Sequence, residues 1–377
     1  MVRWAFAECN GAGNGWDCTS IRPRRAGVAF VYHPKRERES MGLGTRPAIV
    51  LMGHDVWPVG RTVPETAYNA AIGIEALEAA LLELRDQGYR FVALDEFMKH
   101  RQAGGVALLT FDDAYANVVY VALPVLQRLG VPALIFVVCN GLGAGDPFPH
   151  FLYELQDSWP RMKPLAGHPA LAKVLASTSR KSLDELFEHD AVRVYDMFAQ
   201  ALSADELATL SADLAAAGMP RRTMNRDQLE RAARSELIEL GAHSMTHRPL
   251  TTLPAEEVDS EIKESARTIA GMTGKEPADV AFAYPYGFVS AHAASVVGRS
   301  CRSGFTCAAR PVSALDRGAT LPRINLDRSA PRRAAEGRPL KSATAALRET
   351  ALLYARTDLG RRATAPLRYA ARALRGR

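Results

Sequence analysis

Apolar residues fall along this chain in short continuous runs, separated by longer stretches in which they recur every three or four positions. The runs at 48–52, 91–94, 106–111, 133–138, 237–240, 280–284 and 305–308 have strand length and are apolar nearly throughout, the pattern of strands covered on both faces. Between them, 74–85, 124–129 and 255–270 carry helix-spaced apolar positions. Strand and helix in alternation predict an α/β fold with a parallel, barrel-like sheet and helices outside it. No fixed-period repeat interrupts the pattern. The stretch 148–225 does interrupt it, because 182–201 and 204–217 both predict amphipathic helices, with Leu183, Leu186, Phe187, Val194, Met197 and Phe198 suited to the apolar stripe. This helical insertion reads either as an excursion packed on the side of the barrel or as part of the wall of a binding groove.

Two strings at the ends of apolar runs carry the chemistry. Leu108-Leu109-Thr110-Phe111-Asp112-Asp113 ends on two adjacent carboxylates, and His243-Ser244-Met245-Thr246-His247 places two imidazoles four apart, soon after a strand-like run and Gly241. Neighbouring side chains on a strand point to opposite faces, so both aspartates can approach one ion only where the chain bends. Division of labour follows, with one carboxylate a ligand and the other a base. The spacing of the imidazoles predicts one face of a helical turn, from which both can bind one cation. Three protein ligands plus water form the open coordination of a catalytic zinc-type centre, whereas a closed structural site needs a fourth. Alone, Asp-Asp also reads as a helix N-cap and His-x-x-x-His as a solvated helix face. Strand ends, however, are where active sites of α/β folds collect, and a hydrolase is the leading expectation.

At this point the chain resembles a known family. Thr110-Phe111-Asp112-Asp113, His243-Ser244-Met245-Thr246-His247 and Phe282-Ala283-Tyr284-Pro285-Tyr286-Gly287, in that order, are similar to the signature of the polysaccharide deacetylases, the NodB-like carbohydrate esterases of family four. The resemblance spans about 47–327. It is supported by a first strand ending at His54, by Ala122-Leu123-Pro124-Val125-Leu126 followed by Gly130-Val131-Pro132-Ala133, and by Leu321-Pro322-Arg323-Ile324. It implies a distorted (β/α) barrel and metal-dependent removal of an N-acetyl group from an amino sugar. By resemblance, Asp112 is the general base, Asp113, His243 and His247 hold a divalent ion, and the backbone N–H of Tyr286 stabilises the oxyanion. Zinc is the first expectation, although such ligands also suit cobalt, nickel or manganese. The sequence departs from the family pattern in three places. Ala114 stands where Gly is usual, a mild change unless the backbone there needs positive φ. Ala283 stands where an Arg usually buttresses the catalytic Asp, and Arg323 is the candidate to supply that charge. A late His serving as general acid is missing, since none follows His292. His54 is the candidate for that role; its other reading is a loop imidazole capped by Asp55.

Composition refines this picture. The chain of 377 residues is 47% hydrophobic, enough to bury the core of a large α/β barrel. The expected organisation is an irregular extension over 1–46, a barrel over 47–330 and a basic helical tail over 331–377. That tail holds 12 Lys or Arg against 3 Asp or Glu, a surplus larger than the net +6 of the whole chain, so the remainder is mildly acidic. Arg361, Arg368, Arg372 and Arg375 fall near one helical face and Leu367, Ala370, Ala371 and Leu374 on another. The tail therefore reads equally as a membrane-surface helix and as a solvated helix packed on its own domain. No aromatic-basic interleaving accompanies the charge, so nucleic acid is not an expected partner. Five cysteines without a Cys-x-x-Cys pair suit reduced thiols, and Cys139, ending an apolar run, suits the core. Without a secretory h-region or an apolar run of membrane length, the expected setting is cytoplasmic, with a peripheral position on the membrane open to the tail. Two other functions stay open: a carbohydrate-binding member of the fold without turnover, and a C–N hydrolase acting on a non-sugar amide or cyclic imide.

Overall fold

The structure, a computed structural model, describes residues 46–60, 71–143, 145–188 and 191–326. The N-terminal extension up to residue 45 and the basic tail over 331–377 lie outside the described residues. The strands are β1 (Ile49–Gly53), β2 (Asp55–Trp57), β3 (Ala71–Gly73), β4 (Arg90–Phe91), β5 (Val106–Phe111), β6 (Ala133–Val137), β7 (Ile238–Ala242), β8 (Ala281–Ala283), β9 (Ser303–Phe305) and β10 (Ile324–Asn325). β2 and β3 form a separate parallel pair, and the other eight form one parallel sheet with the path β10-β1-β5-β6-β7-β8-β9, to which β4 adds by pairing with β5. The sheet curls until its two edges share one segment. Phe305, ending β9, bridges Leu321, and three residues later Ile324 of β10 pairs with Leu51 of β1.

Curling gives each strand an inside and an outside at period two. Val50, Leu108, Leu134, Phe136, Ala281, Ala283, Phe305 and Leu321 share one apolar cluster, the barrel interior. Their neighbours Ile49, Leu51, Leu109, Ile135, Val137 and Phe282 share another, facing the helices. Around that outer face lie α1 (Ile74–Asp86), α3 (Leu123–Leu129), α9 (Arg226–Ala232), α10 (Ala255–Thr273) and α11 (Ala291–Ser300), whereas α2 (Leu94–His100) packs Leu94 and Phe97 into the interior cluster. α10 shows the cause: Val258, Ile262, Ala266 and Ile269, spaced by three and four, are all buried in the outer cluster.

The insertion holds α4 (His150–Met162), α5 (Pro169–Ala176), α6 (Leu183–Phe187), α7 (Ala191–Ala201) and α8 (Ala204–Ala216). Its Phe151, Leu155, Leu171, Val174, Leu186, Phe198 and Leu214 form an apolar cluster of their own. The single helix expected over 182–201 is instead two, because α6 ends at Phe187 and α7 starts at Ala191. α4 was not expected, although Phe151, Leu152, Leu155, Trp159 and Met162 make a helical stripe; Pro147, Pro149 and Pro160 obscure it in the sequence. Among the described residues no helix is long and apolar enough to cross a membrane.

Candidate active site

The parity of β5 carries Leu108 into the barrel interior, and with it Thr110 and then Asp112, just past the strand end. Thr110 Oγ1 donates to Leu51 O at 2.8 Å, and Asp112 N donates to Gly53 O at 2.9 Å. Asp113 would point outward on a straight strand. Left-handed backbone at Asp113 (φ 68°) and Ala114 (φ 54°) turns it back. Position 114 is therefore one where glycine would be unstrained, and Ala is held there by tertiary bonds. Met224 N donates to Ala114 O at 2.9 Å, Ala116 N donates to Arg222 O at 2.9 Å, and Tyr115 bridges Thr223 between them.

Asp112 is paired with Arg323, which follows Leu321 on the closing segment and shares its inward parity. Arg323 is 0% exposed, and its Nη1 and Nη2 donate to Asp112 Oδ1 and Oδ2 at 2.6 and 2.8 Å. Its Nε donates to Thr306 O at 3.0 Å, and the guanidinium sits 5.4 Å from the Phe136 ring centre. Burial alone pushes the Asp112 carboxyl up, but the Arg323 guanidinium outweighs it and holds the group below its usual value, so the carboxyl is ionised. Ala283, on β8, contributes its backbone instead of a side-chain charge: His243 Nδ1 lies 2.8 Å from Ala283 O.

Gly241 on β7 admits the Phe136 ring, 2.7 Å from where a Cβ would stand, and His243 follows the strand end. The segment 243–247 is not the helical turn that the spacing suggested. Ser244 (φ 64°) and His247 (φ 57°) are left-handed, and the chain loops so that the two imidazoles meet with ring centres 4.9 Å apart. The buried Glu261 of α10 determines this loop: its carboxylate accepts from Met245 N at 2.8 Å, Thr246 N at 2.9 Å and the Thr246 hydroxyl. Ser244 Oγ accepts from His247 N at 3.0 Å.

Asp113 Oδ1 is buried without a hydrogen-bond partner, 3.5 Å from His243 Nε2 and 3.3 Å from His247 Nε2. One donor atom from each of Asp113, His243 and His247 lies within 4.8 Å of the others. Burial pulls the His247 pKa down to about 3, against the attraction of Asp113, so its imidazole is neutral. His243 Nδ1 donates to Ala283 O, which fixes the ring with Nε2 turned toward Asp113. Two imidazole nitrogens beside an unsatisfied carboxylate oxygen fit a divalent cation.

His54, one residue past β1, is half-buried, with its Nδ1 enclosed and without a hydrogen-bond partner. Burial lowers its pKa, against the attraction of Asp113 and Asp112. Asp55 does not cap it; Asp55 Oδ1 accepts from Val56 N at 2.8 Å. Tyr286 is left-handed (φ 58°) in the turn after β8, and its ring meets His247 edge-on at 4.8 Å. The turn needs Gly287 (φ 72°), since a Cβ there would fall 2.5 Å from Cys307 N. Cys139 is buried and free, as its apolar run suggested, and Cys301 and Cys307 are also free thiols.

One residue at the centre was missed from the sequence. His150 opens α4 of the insertion, is 2% exposed, and places Nε2 2.9 Å from Asp113 Oδ2. Burial lowers its pKa, but the Asp113 carboxylate outweighs burial and raises it. No spacing ties it to the other site residues, and only its place at the start of an amphipathic helix could have drawn notice. Tyr195 of α7 also approaches the centre, 6.2 Å from the Tyr286 ring, so the insertion borders the site.

Two carboxylates, Asp112 and Asp113, and two imidazoles, His243 and His247, thus meet at the strand ends of a curled parallel sheet. Residues 200–300 match the polysaccharide deacetylase family, a span containing both imidazoles of the 243–247 loop and the 282–287 string. The resemblance to that family is thereby borne out over that span. Solved structures similar to this chain include a Streptococcus pyogenes deacetylase, PplD, in complex with acetate, at 16% identity and TM-score 0.47, covering 77% of this chain and 96% of that one. IcaB from Ammonifex degensii is 20% identical with TM-score 0.48, covering 77% and 97%. The BpsB deacetylase domain from Bordetella bronchiseptica is 18% identical with TM-score 0.41, covering 74% and 94%. No curated protein matches the chain.

Proposed function

We propose that this protein hydrolyses the N-acetyl group of an amino sugar in a glycan, glycolipid or glycoside, using a divalent ion, zinc in the first instance, held by Asp113, His243 and His247. The observation that carries the reading is the buried Asp112–Arg323 pair beside the Asp-His-His cluster, a base kept ionised next to a site for a cation. A divalent ion in that site supplies polarisation of the amide carbonyl and a more acidic water. Asp112 then accepts the proton of the attacking water, and the Tyr286 N–H donates to the oxyanion of the tetrahedral centre. As the C–N bond breaks, acetate is released and the departing amine takes up the proton that Asp112 accepted from water, relayed through His54 as the acid. Arg323 keeps the Asp112 carboxylate in one orientation throughout. The cytoplasmic setting and a peripheral membrane contact through the basic tail belong to this proposal and rest on the sequence.

The test is acetate release from a panel of N-acetylated amino sugars, glycans and glycolipids, with protein stripped by chelator and then reloaded with zinc, cobalt, nickel or manganese. Release that disappears on stripping and returns on reloading is expected. Ring opening of a cyclic imide without acetate release from any panel member overturns the sugar assignment, and a protein that takes up none of the metals overturns the metal site.

A further inference from the structure

The insertion between β6 and β7 reaches Asp113 through His150. His150 Nε2 donates to Asp113 Oδ2 at 2.9 Å, while Asp113 Oδ1 is the oxygen that faces His247 and His243 at 3.3 and 3.5 Å. The carboxylate is thus divided between two tasks. The atoms close enough together to share one ion come from Asp113, His243 and His247, so His150 stands behind the ligand and does not join the set. Its ring is fixed by edge-on contacts with His247 at 5.5 Å and Tyr115 at 5.4 Å.

The backbone that presents His150 is stapled at both ends of the insertion. Near its start, the Asp146 carboxylate accepts from Arg222 N and Thr223 N, each at 2.8 Å, at the insertion's end. Arg221 donates to Gly143 O at 2.6 Å and Gly145 O at 2.9 Å, drawing in the loop ahead of α4. The same 222–224 strip bonds Ala114 and Ala116, directly after Asp113. Entry, exit and the carboxylate turn are therefore one hydrogen-bonded unit.

We propose that His150 is a positioning residue, contributed by the insertion, that orients Asp113 so that Oδ1 faces the two imidazoles. The inference rests on the metal-site reading above. A ligating carboxylate whose outer oxygen is hydrogen-bonded loses rotational freedom before the ion arrives, and removing such a partner costs about 10- to 100-fold in metal affinity. His150→Ala should therefore weaken zinc or cobalt binding by that factor in competition with a chromophoric chelator. His150→Gln, which keeps an N–H donor near the Nε2 position, should recover most of the loss. His150→Leu, which fills the space without a donor, should behave like Ala in metal binding, with a cooperative unfolding transition of the metal-free protein showing that it is folded. A His150→Ala variant that binds metal within twofold of the parent overturns the proposal. So does a folded Gln variant no better than Leu. Parent protein that takes up no metal removes the site reading itself, whereas parent uptake with an unaffected Ala variant removes only the role of His150.

Discussion

Arg323→Met cuts a buried ion pair on one side and keeps most of the side-chain volume. The guanidinium is 0% exposed and Asp112 2% exposed, so no water is ready to replace the two charge-assisted bonds of 2.6 and 2.8 Å. Breaking such a pair from one side costs about 3–5 kcal/mol, chiefly because a carboxylate is left buried without its counter-charge. Asp112→Ala strands the guanidinium instead and should cost a similar amount. The double variant removes both charges and should cost less than the sum of the two, with a coupling of about 2 kcal/mol or more. Urea unfolding of metal-free protein measures all four corners of this cycle without a contribution from ion binding. Arg323→Lys should recover only part of the loss, since an ammonium cannot reproduce the two-pronged contact. Additivity within about 0.5 kcal/mol would falsify the view that the base is held by this pair, as would a cost below about 1 kcal/mol for Arg323→Met.

Three further substitutions separate the assigned roles. Asp112→Asn should keep metal affinity and lose turnover by about 100-fold or more, whereas His243→Ala should lose both; equal metal loss in the two would show the roles to be misassigned. His54→Ala should slow acetate release without emptying the metal site, so unchanged turnover at full metal occupancy removes its role as the acid. Glu261→Ala leaves the Met245 and Thr246 N–H groups without their carboxylate acceptor, which should cost about 1–3 kcal/mol in thermal or urea unfolding and weaken metal binding. Parent-like metal affinity in that variant would show that the loop keeps its shape without the brace.

The strand ends were legible because a parallel strand buried on both faces is an uninterrupted apolar run, and the first charge after it marks where the core stops. Asp112 and His243 were found in this way. The conformations that bring their partners in were not legible. Asp113, Ala114, Ser244 and His247 all have positive φ, yet none is Gly or Asn, and the readiness of Asp and His for it is only a weak signal. What holds them is distant in sequence: the 222–224 strip for the aspartate turn, and Glu261 for the histidine loop. A spacing of four between the imidazoles suggested a helix because that is the local solution, whereas the observed loop is a tertiary one. His150 was hidden for the same reason, since its contact with Asp113 depends on the insertion folding on its own apolar cluster.

The displaced arginine follows from the geometry of a curled sheet. Here Phe305 of β9 bridges Leu321 and Ile324 of β10 pairs with Leu51, so the closing segment faces the same interior as β1, β5 and β8. A residue of inward parity on that segment can reach Asp112 across the barrel mouth, and Arg323, two residues after the inward Leu321, has that parity. The geometry brings a guanidinium to the Asp112 carboxylate from the closing segment. Parity within the barrel is thus a tighter constraint on the arginine than its order along the chain. It also accounts for Ala283: relieved of supplying charge, that position keeps a small side chain in the interior and uses its carbonyl to orient His243.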